Sequence, residues 1–155
     1  MLIRRDRAML AVTMVLDIAF HGGRSSTVSA ADVAARLGMA RRGMEPLLQA
    51  LSRSGLLASV RGPHGGYRLG RPRRAIRLAE IADAVTERRA GTAADEGAGT
   101  GKGGALQTCV IDPLWSALDA AARAQLAGLT VEDLLQQATA AGLKPPAAEP
   151  IMFAI

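Results

Sequence analysis

Arg41, Arg42, Glu45 and Gln49 are the first residues in this chain whose types and spacing suggest chemistry. On a helix, positions 41, 45 and 49 share one side and 42 lies alongside. Guanidinium groups clamp phosphates or read guanine bidentately, and a carboxylate accepts from cytosine N4. Glu45 has a second reading, as an exposed i,i+4 partner of Arg41; the base-contacting role is preferred. Further on, Arg61-Gly62-Pro63-His64-Gly65-Gly66 sets an arginine and a histidine in turn chemistry. An arginine at the base of a flexible hairpin can reach a minor groove, where negative potential concentrates.

Other chemistries find little support. His21 and His64 sit in glycine-rich stretches, and no Ser, Cys or acid stands at a spacing that builds a nucleophile–base pair. Catalysis and a metal site are therefore not expected. Gly97-Ala-Gly-Thr-Gly101-Lys102 approaches a phosphate-binding loop. The Walker pattern needs glycine where Glu96 stands and Ser or Thr where Gly103 stands, so nucleotide binding is not expected.

The polar residues need elements to hold them. Ser29 followed by Asp32 predicts a capping box and a helix start, and Gly38 predicts its end. Met44, Leu47, Leu48 and Leu51 recur at i, i+3, i+4 and i+7, giving a second helix one apolar face. Two helices joined by a short glycine-containing turn are the layout of a helix-turn-helix. Pro46 complicates the second helix: either regular helix begins near Gly43, or it kinks at Pro46. Leu56–Val60 and Tyr67–Leu69 are strand-like on either side of the turn residues, predicting a β-hairpin wing.

Composition agrees. The chain has 155 residues and a formal charge of +5. Residues 1–90 hold 16 arginines against 7 acids, whereas residues 91–155 hold 3 cations against 7 acids. A basic half ahead of a mildly acidic half points the first half at a polyanion. Phe20, Tyr67, Trp115 and Phe153 are the only aromatics, so the core must be built from Ala, Leu, Val, Ile and Met. Cys109 is the only cysteine, which excludes an intrachain disulfide and leads us to expect a reducing cytoplasmic setting. Arg4 to Phe20 is apolar nearly all round and predicts a buried first helix. It contains Asp17 and is too short for a membrane span.

Four regions are expected: a winged helix-turn-helix over 1–86, a flexible glycine-rich loop over 87–108, helices over 109–141 and a tail over 142–155. Arg71, Arg73, Arg74 and Arg77 form either a phosphate-contacting strip or a solvated linker. Leu78–Val85 is a short helix. Asp112-Pro113 predicts a helix N-cap with proline at the first helical position. Leu114, Trp115, Leu118, Ala122, Leu126 and Leu129 supply the apolar face of that helix. Thr130 to Asp133 predicts another capping box, and Ile151–Ile155 is apolar enough to dock on the body.

Gly55-Leu56-Leu57, Arg61 to Leu69 and Ile76-Arg77-Leu78-Ala79-Glu80-Ile81 resemble the Rrf2 family of bacterial winged-helix regulators. The resemblance runs from about Ala11 to Ala138, with a poor match over Gly91–Ala105, and its most specific piece is the Arg-Gly-Pro-x-Gly-Gly-Tyr wing. It implies a mainly α fold with a small β wing and a long dimerisation helix. It also implies a homodimer on double-stranded, palindromic DNA, with Glu45 matching the family's base-contacting glutamate and the long helix crossing its copy. Arg41, Arg42, Gln49, Arg61 and His64 complete the expected DNA contacts, and Leu114, Trp115, Leu118, Ala122 and Leu126 the expected dimer interface. Repression is the expected mode and the effector is left open. The family's usual Tyr-Leu-Glu triplet is Gly43-Met44-Glu45 here. Cluster-holding members use three cysteines before the long helix; Cys109 matches the last and the others have no counterpart, so no iron–sulfur cluster is expected. Cys109 then stands as a structural relic, a thiol switch or, with Asp112 and a partner subunit, a ligand to an unusual metal. A protein–protein adaptor that keeps the fold is the rival from another class.

Overall fold

The first helix settles where the core lies. In the computed structural model, which describes residues 5–23, 26–86 and 104–146, α1 spans Arg5–Gly22. Ala8, Ala11, Val12, Met14, Val15, Ile18 and Ala19 are all buried along it. An apolar stripe this wide cannot be covered by one neighbour, and α1 packs on five elements introduced below: α2, α3, α4, α6 and β2.

Helix α2 spans Ala30–Leu37 and α3 spans Arg41–Arg53. Ser29 caps α2 by accepting from the Asp32 N–H at 3.0 Å, and its hydroxyl donates to the Asp32 carboxylate at 2.7 Å. The carboxylate thus engages the hydroxyl of the cap residue. Gly38 ends α2 in the left-handed region at φ 63°, with Gly38 N–H donating to Ala35 O and Met39 N–H to Ala34 O. This paired pattern satisfies the last carbonyls and turns the chain within three residues. Arg36 in α2 grips Asp17 in α1 through two donors, Nε to Oδ1 at 2.9 Å and Oδ2 at 3.2 Å, and Nη2 to Oδ2 at 2.7 Å. That hydrogen bonding holds the Arg36 pKa above its ordinary value.

Helix α3 starts at Arg41, earlier than Gly43, and carries Pro46 inside it. Proline lacks the N–H that would bond to Arg42 four residues back. Both residues are exposed, so water can serve the carbonyl left over. Strands β1 (Leu57–Val60) and β2 (Gly66–Leu69) pair antiparallel, Leu57 opposite Leu69 and Val60 opposite Gly66. Val28 adds one further antiparallel bridge on the β2 edge, exchanging bonds with Tyr67 at 2.9 and 2.8 Å.

The arginine-rich connection after the wing is tied to the body and is not a loose linker. It contains a 3-10 turn at Arg73–Ala75 and leads into α4 (Leu78–Thr86). Arg71 pairs with Glu80 at 3.0 Å, Arg73 pairs with Glu132, and Arg77 Nη1 donates to Ala127 O at 2.7 Å. The core that results holds Met14, Ile18, Met44, Leu48, Leu51, Leu56, Leu57, Ile76 and Ile81, all essentially sealed; among the described residues the aromatics Phe20 and Tyr67 pack only at its edge.

After residues 87–103, which lie outside the described residues with the glycine-rich loop and its Gly97–Lys102 stretch, the chain is helical again from Ala105. A π-helical turn at Gln107–Ile111 runs directly into α5 (Asp112–Gly128). Asp112 is therefore not an N-cap: its backbone is helical and its N–H donates five residues back to Gln107 O. The reason is Pro113, which has no N–H for Cys109 O; a widened turn absorbs the gap and the helix continues. The Asp112 side chain accepts from Gln107 Nε2 at 2.8 Å instead. Thr130 caps α6 (Val131–Ala140) through a reciprocal box with Asp133. Val131 and Leu135 tie α6 to the main core. The tail segment Ile151–Ile155 lies outside the described residues.

Candidate nucleic-acid interface

Helix α3 is held from behind and open in front. Met44, Leu47, Leu48 and Leu51 are buried, while Arg41, Arg42, Glu45, Gln49 and Arg53 are exposed. Arg42, Glu45 and Gln49 fall at i, i+3 and i+7 on the open side. Arg41 and Glu45 form an i,i+4 pair at 3.8 Å with both side chains more than half exposed. A pair this open and this long contributes little, so it leaves both groups available. Among the described residues, no hydrogen bond or ion pair engages the guanidinium of Arg42 or Arg61.

The wing brings Arg61 and His64 to its tip, both exposed. Gly65 N–H closes the tip by donating to Gly62 O at 2.9 Å, across Pro63 and His64. The Gly65-Gly66 pair has a steric cause. A Cβ on Gly65 would stand 2.5 Å from Val60 O, and one on Gly66 2.4 Å from Val28 O. Gly65 lets the hairpin tip fold back on itself, Gly66 lets β2 lie against Val28, and Thr27 Oγ1 donates to His64 O at 2.8 Å. That clasp links the wing tip to the segment entering α2. A single pairing residue such as Val28 leaves no periodic trace, so sequence patterns could not find it.

The second half of the site is a bare helix. Not one residue of α5 is buried. Leu106, Val110, Leu114, Trp115 and Leu118 are 78%, 54%, 54%, 46% and 49% exposed. Spaced mostly by four, they form one apolar stripe, which begins two turns before the face expected from Leu114 onward. Ala122 is exposed in the same helix. Leu126 differs from the expectation: it packs against Ala8 and Ala82 of its own body, so the far end of α5 is an attachment and not part of the open stripe. Cys109 is exposed and sits in the π-helical turn, not in a loop.

A helix-turn-helix with an arginine-tipped wing and a protruding helix defines a winged-helix regulator fold. Comparison with known proteins narrows the class. The sequence model described as "Rrf2: Iron-dependent Transcriptional regulator" matches residues 5–137. An HTH-type transcriptional regulator, ORF2, of Azotobacter vinelandii is 38% identical over 125 residues, 81% of this chain and 74% of that protein. The HTH-type transcriptional regulator IscR of Vibrio campbellii is 36% identical over 131 residues, 84% of this chain and 76% of that protein. Among solved structures, T. potens IscR superposes with a TM-score of 0.66 at 26% identity, covering 95% of this chain and 93% of that one. The cysteine regulator CymR of B. subtilis shares the fold at a TM-score of 0.62 and 22% identity, covering 84% and 94%. The chain belongs to the Rrf2 family of transcriptional regulators.

The family's description raises iron, and the donor set can be tested against it. Iron–sulfur clusters take mainly thiolate ligands. The chain has one cysteine, exposed, and the nearby Asp112 carboxylate is engaged with Gln107. Among the described residues no group of three His, Cys, Asp or Glu side chains converges on a metal-sized space. The residues present do not fit a cluster. No helix among the described residues is long and apolar enough to cross a membrane.

Proposed function

We propose that this protein is a cytoplasmic, sequence-specific DNA-binding transcriptional regulator that acts as a homodimer on a palindromic operator, represses by occluding promoters, and works without an iron–sulfur cluster and without catalytic activity. The observation that carries the reading is the pairing of two unengaged guanidinium groups, Arg42 on the open face of α3 and Arg61 at the wing tip. In this reading α3 enters the major groove, where Glu45 and Gln49 meet base edges and Arg41 and Arg42 hold phosphate or guanine. Arg61 and His64 reach the flanking minor groove. The stripe from Leu106 to Leu118 covers its own copy, pairing two recognition helices about a two-fold axis. The names of the relatives, all transcriptional regulators, support the same reading.

Sequencing the DNA that co-purifies with the protein from cells should yield a palindrome. On that operator, Arg42→Ala and Arg61→Ala should each weaken binding. A lost base contact costs about 1–3 kcal/mol and relaxes specificity; a lost phosphate contact lowers the salt slope by about 1. Binding by both variants as tight as wild type at matched salt would sink the docking. Protein made anaerobically with ample iron should be colourless and bind its operator equally with and without chelator. Stoichiometric iron and sulfide would refute the cluster-free reading. A second reading, a thiol switch, rests on the exposure of Cys109. It predicts that oxidant changes operator binding of wild type but not of Cys109→Ala.

A further inference from the structure

The base of the wing and the segment that follows it carry guanidinium groups outside the set assigned to DNA above. Arg68, Arg71, Arg73 and Arg74 line a cleft of ≈ 710 Å³, walled by Ala19 at the end of α1 and by Glu132 of α6. That volume lies within the range that accommodates small-molecule ligands. The cleft sits at the base of the wing, away from its tip. Val60 faces Gly66 at the tip end and Leu57 faces Leu69 at the other. Those four rungs span roughly 10 Å of strand, and Arg71 to Arg74 follow the last of them.

Four guanidiniums and one carboxylate, Glu132, line the cleft, and a second carboxylate, Glu80, reaches Arg71 from outside the lining. Arg71 is matched by Glu80 at 3.0 Å and Arg73 by Glu132. Arg68 and Arg74 are exposed, and no hydrogen bond or ion pair engages either among the described residues. Two planar donor forks at one cleft, beside a third held by a displaceable carboxylate, suit an anion with several oxygens. We propose that this cleft binds a small multivalent anion, phosphorylated or polycarboxylate, gripped by Arg68 and Arg74 while Glu132 competes for Arg73. The ligand would tie the wing strand β2 to α6. A consequence for operator affinity follows only if the DNA-binding reading above holds; the binding itself does not depend on it.

The test uses the full chain without DNA, titrated calorimetrically with inorganic pyrophosphate and, separately, with citrate at constant ionic strength. One saturable site per chain is expected. Arg68→Ala and Arg74→Ala should each weaken it by about tenfold, the loss expected for one charge-assisted contact. Both side chains are exposed and unengaged among the described residues, and a thermal melt matching wild type separates lost binding from unfolding in each variant. Glu132→Gln, which removes the competing carboxylate, should tighten binding several-fold, and Arg42→Ala should leave it unchanged. Absence of saturation with both probes, an equal loss in Arg42→Ala, or weaker binding in Glu132→Gln would overturn the proposal. The same oxygen chemistry is offered by DNA phosphates. If pyrophosphate and citrate fail while Arg68→Ala and Arg74→Ala each lower the salt slope for non-specific duplex by about 1, the cleft is a backbone contact and the proposal is wrong.

Discussion

Helices α1 and α5 have nearly equal lengths, 18 and 17 residues, and opposite fates. Helix α1 buries Ala8, Ala11, Val12, Met14, Val15, Ile18 and Ala19 among five neighbours. Helix α5 has no buried residue and packs on α4 of the body. There Leu126 packs beside Ala8 and Ala82, Arg123 reaches Asp83 at 2.7 Å, and Leu78 N–H donates to Leu129 O at 3.0 Å. The contrast teaches that apolar content does not decide burial within one chain. The winged-helix body closes its own core, whereas the arm carries a stripe that no other described residue buries, the stripe that the proposed two-fold pairing would cover. Burying side chains of this size contributes on the order of 1 kcal/mol or more each, so a symmetric pairing of five per subunit is a substantial driving force.

The largest effect expected comes from breaking the arm alone. Leu114→Asp combined with Leu118→Asp should give a monomer in sedimentation at micromolar concentration. Operator affinity should fall by about 10²–10⁴-fold, because two half-sites are then read independently. The melting curve of the body should persist. A wild-type protein that is already monomeric would break the comparison at its root.

Breaking the body sharpens it from the other side. Leu48→Ala removes a side chain sealed behind the recognition helix and should cost about 2–5 kcal/mol in denaturant unfolding. Leu106→Ala in that monomeric double variant should cost far less, since its side chain is 78% exposed. Equal costs would mean that the arm is packed in solution in a way unlike its arrangement here. Between these extremes stands the joint: Thr130 caps α6 where the arm returns to the body, and Thr130→Ala should cost about 1 kcal/mol by chemical denaturation. A cost near zero would show that α6 docks without its cap.

Much of this was legible in the residues. The 3.6-residue period from Met44 to Leu51, the exit at Gly38 and the Gly65-Gly66 wing each express one local rule, and the mainly helical winged fold follows from them. What was hidden depends on contacts distant in sequence. Leu126 shares its period with Leu118, yet only the position of Ala8 and Ala82 decides that it faces its own body. Asp112-Pro113 reads locally as a helix start, but a π-helical turn lets the helix pass through it. The arginines after the wing look alike in sequence. Glu80, Glu132 and Ala127 O engage Arg71, Arg73 and Arg77, and leave Arg74 outside that set. In the candidate interface, the polar face of α3 was readable as a pattern, whereas the weakness of the Arg41–Glu45 pair needed its 3.8 Å distance.

The smallest predicted effect lies at the hinge between wing and arm, and its sign is fixed. Glu80 accepts from the Arg77 backbone N–H at 2.9 Å and from Arg71 Nη2 at 3.0 Å. The backbone bond first, and then Arg71, hold its carboxyl below the ordinary glutamate value. A carboxyl whose pKa is lower in the folded than in the unfolded chain stabilises the fold while ionised. That contribution is complete above the unfolded value of about 4.3 and is lost as pH falls through the lower folded value. Glu80→Gln should therefore melt below wild type at pH 7, within the roughly 1 kcal/mol ceiling of exposed pairs. The gap should close as melts are taken into acid, where wild type also becomes neutral at this position. A gap that widens on acidification would mean that Glu80 is held by something other than these two donors, and the hinge would need a different description.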